Sequence, residues 1–360
     1  MSVQSGEYKP PGAGPRPGKR PRFCRFITRT AASLRPKGVI AVRRRHAWGS
    51  FDGAYNRPMS SAGHGVRDAE TWTTRNLLEW MTQHFAAKNI DTPRVVAEML
   101  LSHVIGCDRL RLYMEVDRPA QPLELSALHD LVARAGRHEP VQYLVGHAWF
   151  FGRQFAVDTS VFIPRPCTET LVENVLRWLH AAPGHARPVI ADVGTGSGCI
   201  GVSLALDLDQ AHVVATDVAE ETLAVARANA DRHGVVDRIE FRNGPGLDPL
   251  RDEPGAPRFD VVCSNPPYIS DEEWKQVAPN VRQYEPARAL RSGRDGLDAI
   301  RPLIAGAGDL LRPGGRLAIE IADSQRDAVV ELIDATGQLG NGVVLKDHEG
   351  LWRVLMAERE

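Results

Sequence analysis

Residues Ala191 to Gly201 read ADVGTGSGCIG. An apolar run, PVIADVG (188–194), stops at a loop carrying Gly194, Gly196 and Gly198, and a helical pattern follows it. Glycines let the backbone turn sharply and let a ligand approach with no Cβ in the way. The loop N–H groups and the helix N-terminus favour anionic or electron-rich atoms. Asp217 ends the next strand-like run, 19 residues after Gly198, where a carboxylate can accept both hydroxyls of an adenosine ribose. Asp192, Gly194, Thr195, Gly196, Ser197, Gly198 and Asp217 are therefore the candidate cofactor-binding residues. Two cofactor classes fit this pattern. Gly196-x-Gly198-x-x-Gly201 satisfies the dinucleotide fingerprint. Asp192 at the strand end would repel a pyrophosphate but suits the ammonium of S-adenosylmethionine (SAM), and this favours SAM.

Working outward, strand-like runs recur at 211–218 (AHVVATDV), 238–244 (RIEFRNG), 259–266 (FDVVCSNP), 315–322 (GRLAIEIA), 342–348 (GVVLKDH) and 351–358 (LWRVLMAE). Amphipathic patterns such as EETLAVARANADRHG and SQRDAVVELIDATG are interspersed among them. Apolar runs alternating with helices imply a mostly parallel, doubly wound α/β sheet. With no helix between them, the last two strands form a C-terminal antiparallel hairpin at one side. The third strand's end, FRNGPGLDPL, lacks an acid immediately after Gly244 for an adenine amino group, so a backbone contact near Gly246 takes that part.

The fourth strand runs into Asn265-Pro266-Pro267-Tyr268. Ligands sit at the carboxyl ends of such strands, so Asn265 faces the cofactor's reactive end. The prolines fix φ and demand no N–H partner, leaving a rigid carbonyl at Pro266. That carbonyl and the Asn265 side-chain oxygen are two acceptors aimed at one point, which suits an NH2 group. Holding both its N–H bonds orients a weakly nucleophilic nitrogen and stabilises the positive charge that develops on it. Asn265, Pro266, Pro267 and Tyr268 are the candidate catalytic residues, with Asn265 and Gly246 also counted among the cofactor-binding residues and Tyr268 walling the site.

Before this domain, TTRNLLEWMTQHFAAKN (73–89) repeats apolar Leu77, Leu78, Met81 and Phe85 at helical steps. Asp91 is placed to cap a second helix, PRVVAEMLLSHVIG (93–106), and LELSALHDLVARAGRH (123–138) reads as another. FFGRQFAVDTSVFIPRP (150–166) suits a hairpin whose two strands flank Asp158-Thr159-Ser160, ending where a further helix starts. The expected organisation is a basic extension at 1–70, a helical domain at 71–148, a hairpin linker at 149–165 and the α/β domain at 166–360.

DVGTGSG, the acid in ATD, and NPPY together resemble methyltransferases acting on planar NH2 groups. More narrowly, residues 71–360 resemble the peptide chain release factor N(5)-glutamine methyltransferases. The resemblance is carried by TPRVVAEMLLSHVIG, EPVQYLVGHAWFFG, FIPRPCTETLVE, NPPYIS and YEPARALRSGRDGL, and loosely by KDHEGLWRVL. It implies a cytoplasmic enzyme that methylates the amide of a glutamine in a release factor's Gly-Gly-Gln-like loop, with the helical domain docking that partner. It also implies that Asn265 and Pro266 hold the substrate amide, that Gly194 to Gly198 and Asp217 hold SAM, and that Glu169 and Glu285 shape the site mouth. Three positions depart from the family: Cys167 replaces an acid, Ala322 replaces a glycine, and the acid near Gly244 is absent. The alternative is a nucleic-acid amino methyltransferase, since adenine N6 or guanine N2 offers the same NH2.

Charge argues against that alternative. Residues 1–60 carry thirteen Lys and Arg against two acids, a net of +11, which leaves the body at −12 within a chain total of −1. A nucleic-acid enzyme wants a basic groove at its site, whereas here the positive charge lies in a Pro/Gly/Arg-rich leader. That leader reads as a disordered extension, or as translation upstream of a start at Met59, ahead of a nucleic-acid- or ribosome-binding arm. Five scattered cysteines form no CxxC or Cys/His cluster, so free thiols in a reducing compartment, and no metal, are expected. No apolar run reaches the length of a membrane span.

Overall fold

The computed structural model describes residues 71–181, 186–251 and 259–360; the basic leader lies outside them. The first helices are α1 (Thr74–Ala87), α2 (Pro93–Ile105), α3 (Arg109–Met114), α4 (Pro122–Ala135) and α5 (Val141–Val145). Leu77, Leu78, Met81 and Phe85 all point into one core with Leu100, Leu101, Leu128 and Val132. The second helix is not capped by Asp91. Its N-cap is Thr92 in left-handed backbone, with Pro93 opening the helix and no side-chain cap bond.

Strands β1 (His147–Phe150) and β2 (Arg153–Ala156) form the expected hairpin, but its turn lies elsewhere. Phe150 pairs with Arg153, so the turn is Phe151-Gly152, at φ 51° and 72°. Two consecutive positive φ values are what a tight two-residue hairpin turn requires. Asp158-Thr159-Ser160 is a separate turn beyond β2, in which the Asp158 carboxylate accepts from the Ser160 N–H at 2.8 Å.

Helix α6 (Pro166–Ala181) leads into the sheet: β3 (Val189–Val193), α7 (Cys199–Asp207), β4 (His212–Asp217), α8 (Glu220–Arg232), β5 (Ile239–Asn243) and β6 (Phe259–Ser264). Short helices α9 (Asp271–Trp274) and α10 (Pro279–Tyr284) precede α11 (Ile300–Leu310), β7 (Leu311–Glu320), α12 (Arg326–Asp334), β8 (Leu339–Lys346) and β9 (Trp352–Arg359). The strand order is β5-β4-β3-β6-β7-β9-β8, with β9 antiparallel to both its neighbours and the rest of the pairs parallel. This is a doubly wound methyltransferase-type sheet with the antiparallel hairpin at one side.

Side chains alternate across it with period two. Ala191, Val193, Val262, Leu317 and Ile319 pack with α11 and α12 on one face. Ile190, Val213, Val261, Cys263 and Ala318 pack with α6 and α7 on the other. The order reverses between β3 and β6, and at such a reversal the helices diverge and leave a crevice above the strand ends. Val193 pairs with Thr216 on one side and with Ser264 on the other. The glycine loop, Asp217 and Asn265 therefore leave the sheet side by side.

Asn229 on α8 ties this region together. Fully buried, it accepts from the Ala156 N–H at 2.7 Å and donates to the carbonyls of Ala156 at 3.0 Å and Ser197 at 2.8 Å. One side chain thus clamps the hairpin to the glycine loop. Asn229→Ala strands three backbone groups, one buried and two partly buried, and a stability loss of about 1–3 kcal/mol is expected in urea unfolding, together with weaker SAM binding. A loss under about 0.5 kcal/mol would show that the clamp is dispensable.

Candidate active site

Every glycine of the loop has its own physical reason. Gly194, Gly196 and Gly198 sit at φ 70°, 57° and 81°, in left-handed backbone that disfavours any side chain. A Cβ on Gly194 or Gly196 would meet no protein atom within 4 Å, and both residues line a cavity of about 510 Å³. Their missing side chains leave ligand space. Gly198 is constrained by packing instead, since a Cβ there would lie 3.2 Å from Ala226.

Asp192 lies beneath this loop and does not reach the cavity. It is fully buried, and its Oδ2 accepts from the Thr195 hydroxyl at 2.6 Å and from the Gly201 N–H at 2.9 Å. Gly201 has to be glycine for this bond, because a Cβ would stand 2.9 Å from the same oxygen. Burial pushes the Asp192 carboxyl up to about 6, against the pull of those two hydrogen bonds. Its other oxygen, Oδ1, is buried without a hydrogen-bond partner. The geometry thus makes Asp192 a strut that shapes the loop, not the direct contact to an ammonium read from the strand end.

Asp217 does reach the cavity. Its Oδ2 accepts from the Gly196 N–H and its Oδ1 from the Ala219 N–H, both at 3.1 Å, so each oxygen keeps a further lone pair for a ligand. Burial raises its carboxyl and the backbone bonds pull it back. Beyond it the wall is apolar: Val218, Pro245, Leu247 and Leu303. Gly246 is there too, its carbonyl already taking the Thr216 hydroxyl at 3.4 Å. The acid missing beside Gly244 has a counterpart four residues on, since Asp248 stands on the cavity wall. A cavity-facing carboxylate with lone pairs to spare, an apolar slot and an open glycine cradle fit an adenosyl sulfonium.

At the cavity's other end are Asn265, Pro266 and Pro267, with Ser264 behind them. The Ser264 hydroxyl donates to the Val193 carbonyl at 2.7 Å and locks the two strand ends together. Asn265 Nδ2 donates to Thr168 Oγ1 at 3.1 Å, which leaves Oδ1 as the amide's uncommitted acceptor. Among the described residues nothing donates to the Pro266 carbonyl. Tyr268 is off the cavity wall. The chain after the two prolines turns into the core, where Tyr268 is 6% exposed, its hydroxyl donating to Glu320 at 3.2 Å and its carbonyl accepting from Gln325 at 3.0 Å. It supports the platform from below.

Two acids expected at the mouth act from behind it. Glu169 accepts from the Phe151 N–H at 2.7 Å, tying the hairpin turn to α6. Buried Glu285 is ion-paired to Arg165 and accepts from the Ile163 N–H at 3.3 Å. Ser160, Phe162 and Pro164 of the linker line the same cavity. Ala322 replaces the family's glycine at no backbone cost, since its φ is −74°. Thr168 and Asp248 are not among the sequence candidates, although Thr168 lies within the stretch FIPRPCTETLVE that carries the family resemblance.

Residues 76–146 match the family model described as the PrmC N-terminal domain, and residues 168–294 match the methyltransferase small domain. The release factor glutamine methyltransferase of Geobacter sulfurreducens is 42% identical over 268 residues, covering 74% of this chain and 90% of that protein. That of Chlorobaculum tepidum is 41% identical over 292 residues, covering 80% and 98%. That of Rhodopirellula baltica is 36% identical over 289 residues, covering 80% and 97%.

The Asp192 strut has a pH signature. The folded state holds its proton up to about pH 6, whereas an unfolded aspartate releases it near 3.8. Between those values the folded state binds more protons, so this group's contribution to stability falls as pH rises. Asp192→Asn removes that slope, and relative to wild type the variant should gain about 2 kcal/mol from pH 4 to pH 7. Parallel profiles in denaturant titrations would show instead that the carboxyl is ionised throughout.

Proposed function

The chain belongs to the release factor glutamine methyltransferase family, and from that premise we propose how its cavity carries out the family's reaction. The protein is a SAM-dependent methyltransferase that methylates the side-chain amide nitrogen of a glutamine in peptide chain release factors. Gly194, Thr195, Gly196, Ser197 and Gly198 cradle the cofactor, Asp217 takes its ribose hydroxyls, and Gly246 borders its adenine. Asp192 acts on the methionyl end through the shape of the loop. Bound there, SAM supplies an electrophilic methyl on a sulfonium.

The chain's own residues supply position and charge. Asn265 Oδ1 and the Pro266 carbonyl accept the two N–H bonds of the glutamine amide, so the nitrogen presents its face to the methyl donor. An amide lone pair is delocalised and weakly nucleophilic. Two fixed acceptors raise electron density at nitrogen and stabilise the positive charge that develops on it during transfer. Pro267 stiffens the platform and Tyr268 holds it from beneath. The observation that carries this reading is the pairing of Val193 with Ser264, from which the glycine loop and Asn265 open into a single cavity.

Residues 71–148 form the partner-docking module in this reading, and two contacts support it. The Tyr143 hydroxyl donates to the Val161 carbonyl at 2.7 Å, on the cavity wall, and the Tyr284 hydroxyl donates to the Arg137 carbonyl at 3.0 Å. The helical core is thereby coupled to the mouth of the site. The cavity walls mix Arg251 and Arg288 with Asp217 and Asp248, and Arg288 is already paired with Glu221. That is not the basic groove a nucleic-acid substrate wants. Among the described residues no helix is long and apolar enough to cross a membrane, and the cytoplasm is where its substrate would be met.

Incubation with labelled SAM and either release factor or RNA separates the substrate classes: label is expected on a release factor glutamine, and label in RNA with none in protein would overturn the reading. Asn265→Ala should lower turnover by about 100-fold or more while SAM affinity stays within about 1 kcal/mol. Equal loss of both would make Asn265 a cofactor ligand.

A further inference from the structure

Asn265 can be aimed by its own rotamer, but the second acceptor cannot. The Pro266 carbonyl belongs to the main chain, and its direction follows from the residues on either side of it. On the strand side the Ser264 hydroxyl is tied to the Val193 carbonyl at 2.7 Å. On the far side the Pro267 ring fixes φ, and the intervening peptides are planar. What remains is the placement of Tyr268.

We propose that Gln325 is the positioning residue that aims the Pro266 carbonyl, by pinning the main chain at Tyr268; the inference rests on the assignment of that carbonyl to the substrate amide. Gln325 is 5% exposed, in the turn between β7 and α12. Its Nε2 donates to the carbonyls of Tyr268 and Gly296, each at 3.0 Å, and its Oε1 accepts from the Ala322 N–H at 3.0 Å. Turned over, the side chain would set its oxygen against two carbonyls and its NH2 against an N–H, so three backbone groups fix its orientation. The amide bridges three segments: the chain leaving the platform, the loop before α11 and the end of β7.

Gly296 shows how closely that bridge is drawn. It lies at φ 79°, and a Cβ there would collide with the Tyr268 carbonyl oxygen and stand 2.6 Å from Gln325 Nε2. Only a residue without a side chain brings the loop near enough for one NH2 to hold both carbonyls. The pairing continues past Tyr268. The Ile269 N–H donates to the Leu290 carbonyl and the Ser292 N–H to the Ile269 carbonyl, both at 2.9 Å.

Tyr268 is thus held at both ends, its hydroxyl by Glu320 at 3.2 Å and its carbonyl by Gln325. Between it and the Pro266 carbonyl, only the two torsions flanking the Pro267–Tyr268 peptide are soft. Releasing the Tyr268 carbonyl lets that peptide turn, and the Pro266 carbonyl swings with it. Gln325, Gly296 and Tyr268 are all off the cavity wall. Loss of the bridge should therefore reach the acceptor platform without reaching the glycine loop or Asp217.

The test uses full-length protein with Gln325→Met, which keeps the length and removes all three bonds, and Gly296→Ala, which displaces the same carbonyl from the other side. Each should lose about 10- to 100-fold in kcat on the release factor, with SAM Kd within about twofold per folded molecule. The double variant should lose little more than the worse single one, since both act through one peptide. An unchanged kcat in Q325M, a matching loss of SAM affinity, or additive losses in the double variant would overturn the inference. Should either variant fail to fold, Gln325→Glu carries the same comparison, since its carboxylate keeps the Ala322 bond but donates nothing.

A readout independent of turnover keeps this separate from the substrate assignment. Pro267–Tyr268 is the single Pro-Tyr pair in the chain. Protein labelled with carbonyl-13C proline and 15N tyrosine therefore gives one carbonyl-to-amide NMR correlation, from the platform's own peptide. That cross-peak should move or split in Q325M and G296A. A cross-peak unmoved in Q325M sinks the positioning role whatever the kinetics show. A cross-peak that moves, in a protein whose wild type proves inactive on release factors, would uphold the hold on the peptide and count against the substrate assignment alone.

Discussion

The parallel pairing of β3 with β6 is the constraint on which everything functional depends. Adjacent strands lie about 4.8 Å apart, a distance set by the hydrogen-bond ladder and insensitive to side chains. Val193 and Ser264 are the last pair of that ladder, and the Ser264 hydroxyl bonds back to the Val193 carbonyl at 2.7 Å. One residue beyond each, the chain becomes Gly194 on one side and Asn265 on the other. Methyl transfer needs reacting atoms about 3–3.5 Å apart and in line. The proposed cofactor cradle and acceptor platform, on neighbouring strand ends, come close to that separation.

Around this frame the buried carboxylates divide the work according to their partners. Asp260, near the start of β6, accepts from the Val189 N–H at 2.7 Å and pairs with Arg312, securing the far end of the same two strands. Asp192 is wholly buried with a raised carboxyl and organises the loop. Asp217 is partly exposed and keeps lone pairs toward the cavity. Glu320 sits against Arg353 under the platform. The same functional group is buried strut, cavity-facing acceptor or core acceptor depending on which of its lone pairs the backbone has already taken.

What could be read along the chain was whatever chemistry is local. The glycine loop, Asp217 and Asn265 were legible because each combines a strand end with a residue type that ordinary strands do not carry there. The sheet followed from the alternation of apolar runs with amphipathic helices. The hairpin turn was missed because Phe151 adopts positive φ, which its side chain gives no reason to expect, whereas Asp158-Thr159-Ser160 has turn chemistry and forms a turn of another kind. Tyr268 was placed on the cavity wall because it follows the prolines directly; its inward direction is set by Glu320, 52 residues later. Thr168 meets Asn265 across 97 residues. A contact of that span has no local signature, and only the folded sheet brings it together.

The proposed platform also explains why a planar amide is the substrate and a lysine is not. Two convergent acceptors match the two N–H bonds of an NH2 group and leave its out-of-plane face open to attack. A lysine ammonium carries three N–H bonds and no lone pair, so at neutral pH it would fill the acceptors yet have nothing with which to attack. Removing its proton would require a base, and among the residues of the platform Asn265, Pro266 and Pro267 carry none. Chemistry alone does not distinguish a glutamine from a nucleobase, since both present the same NH2. That distinction falls to the elements that decide which chain enters the mouth. Tyr143 and Tyr284 fasten the helical core to the catalytic domain, so the proposed docking module and the proposed wall of the site are mechanically continuous.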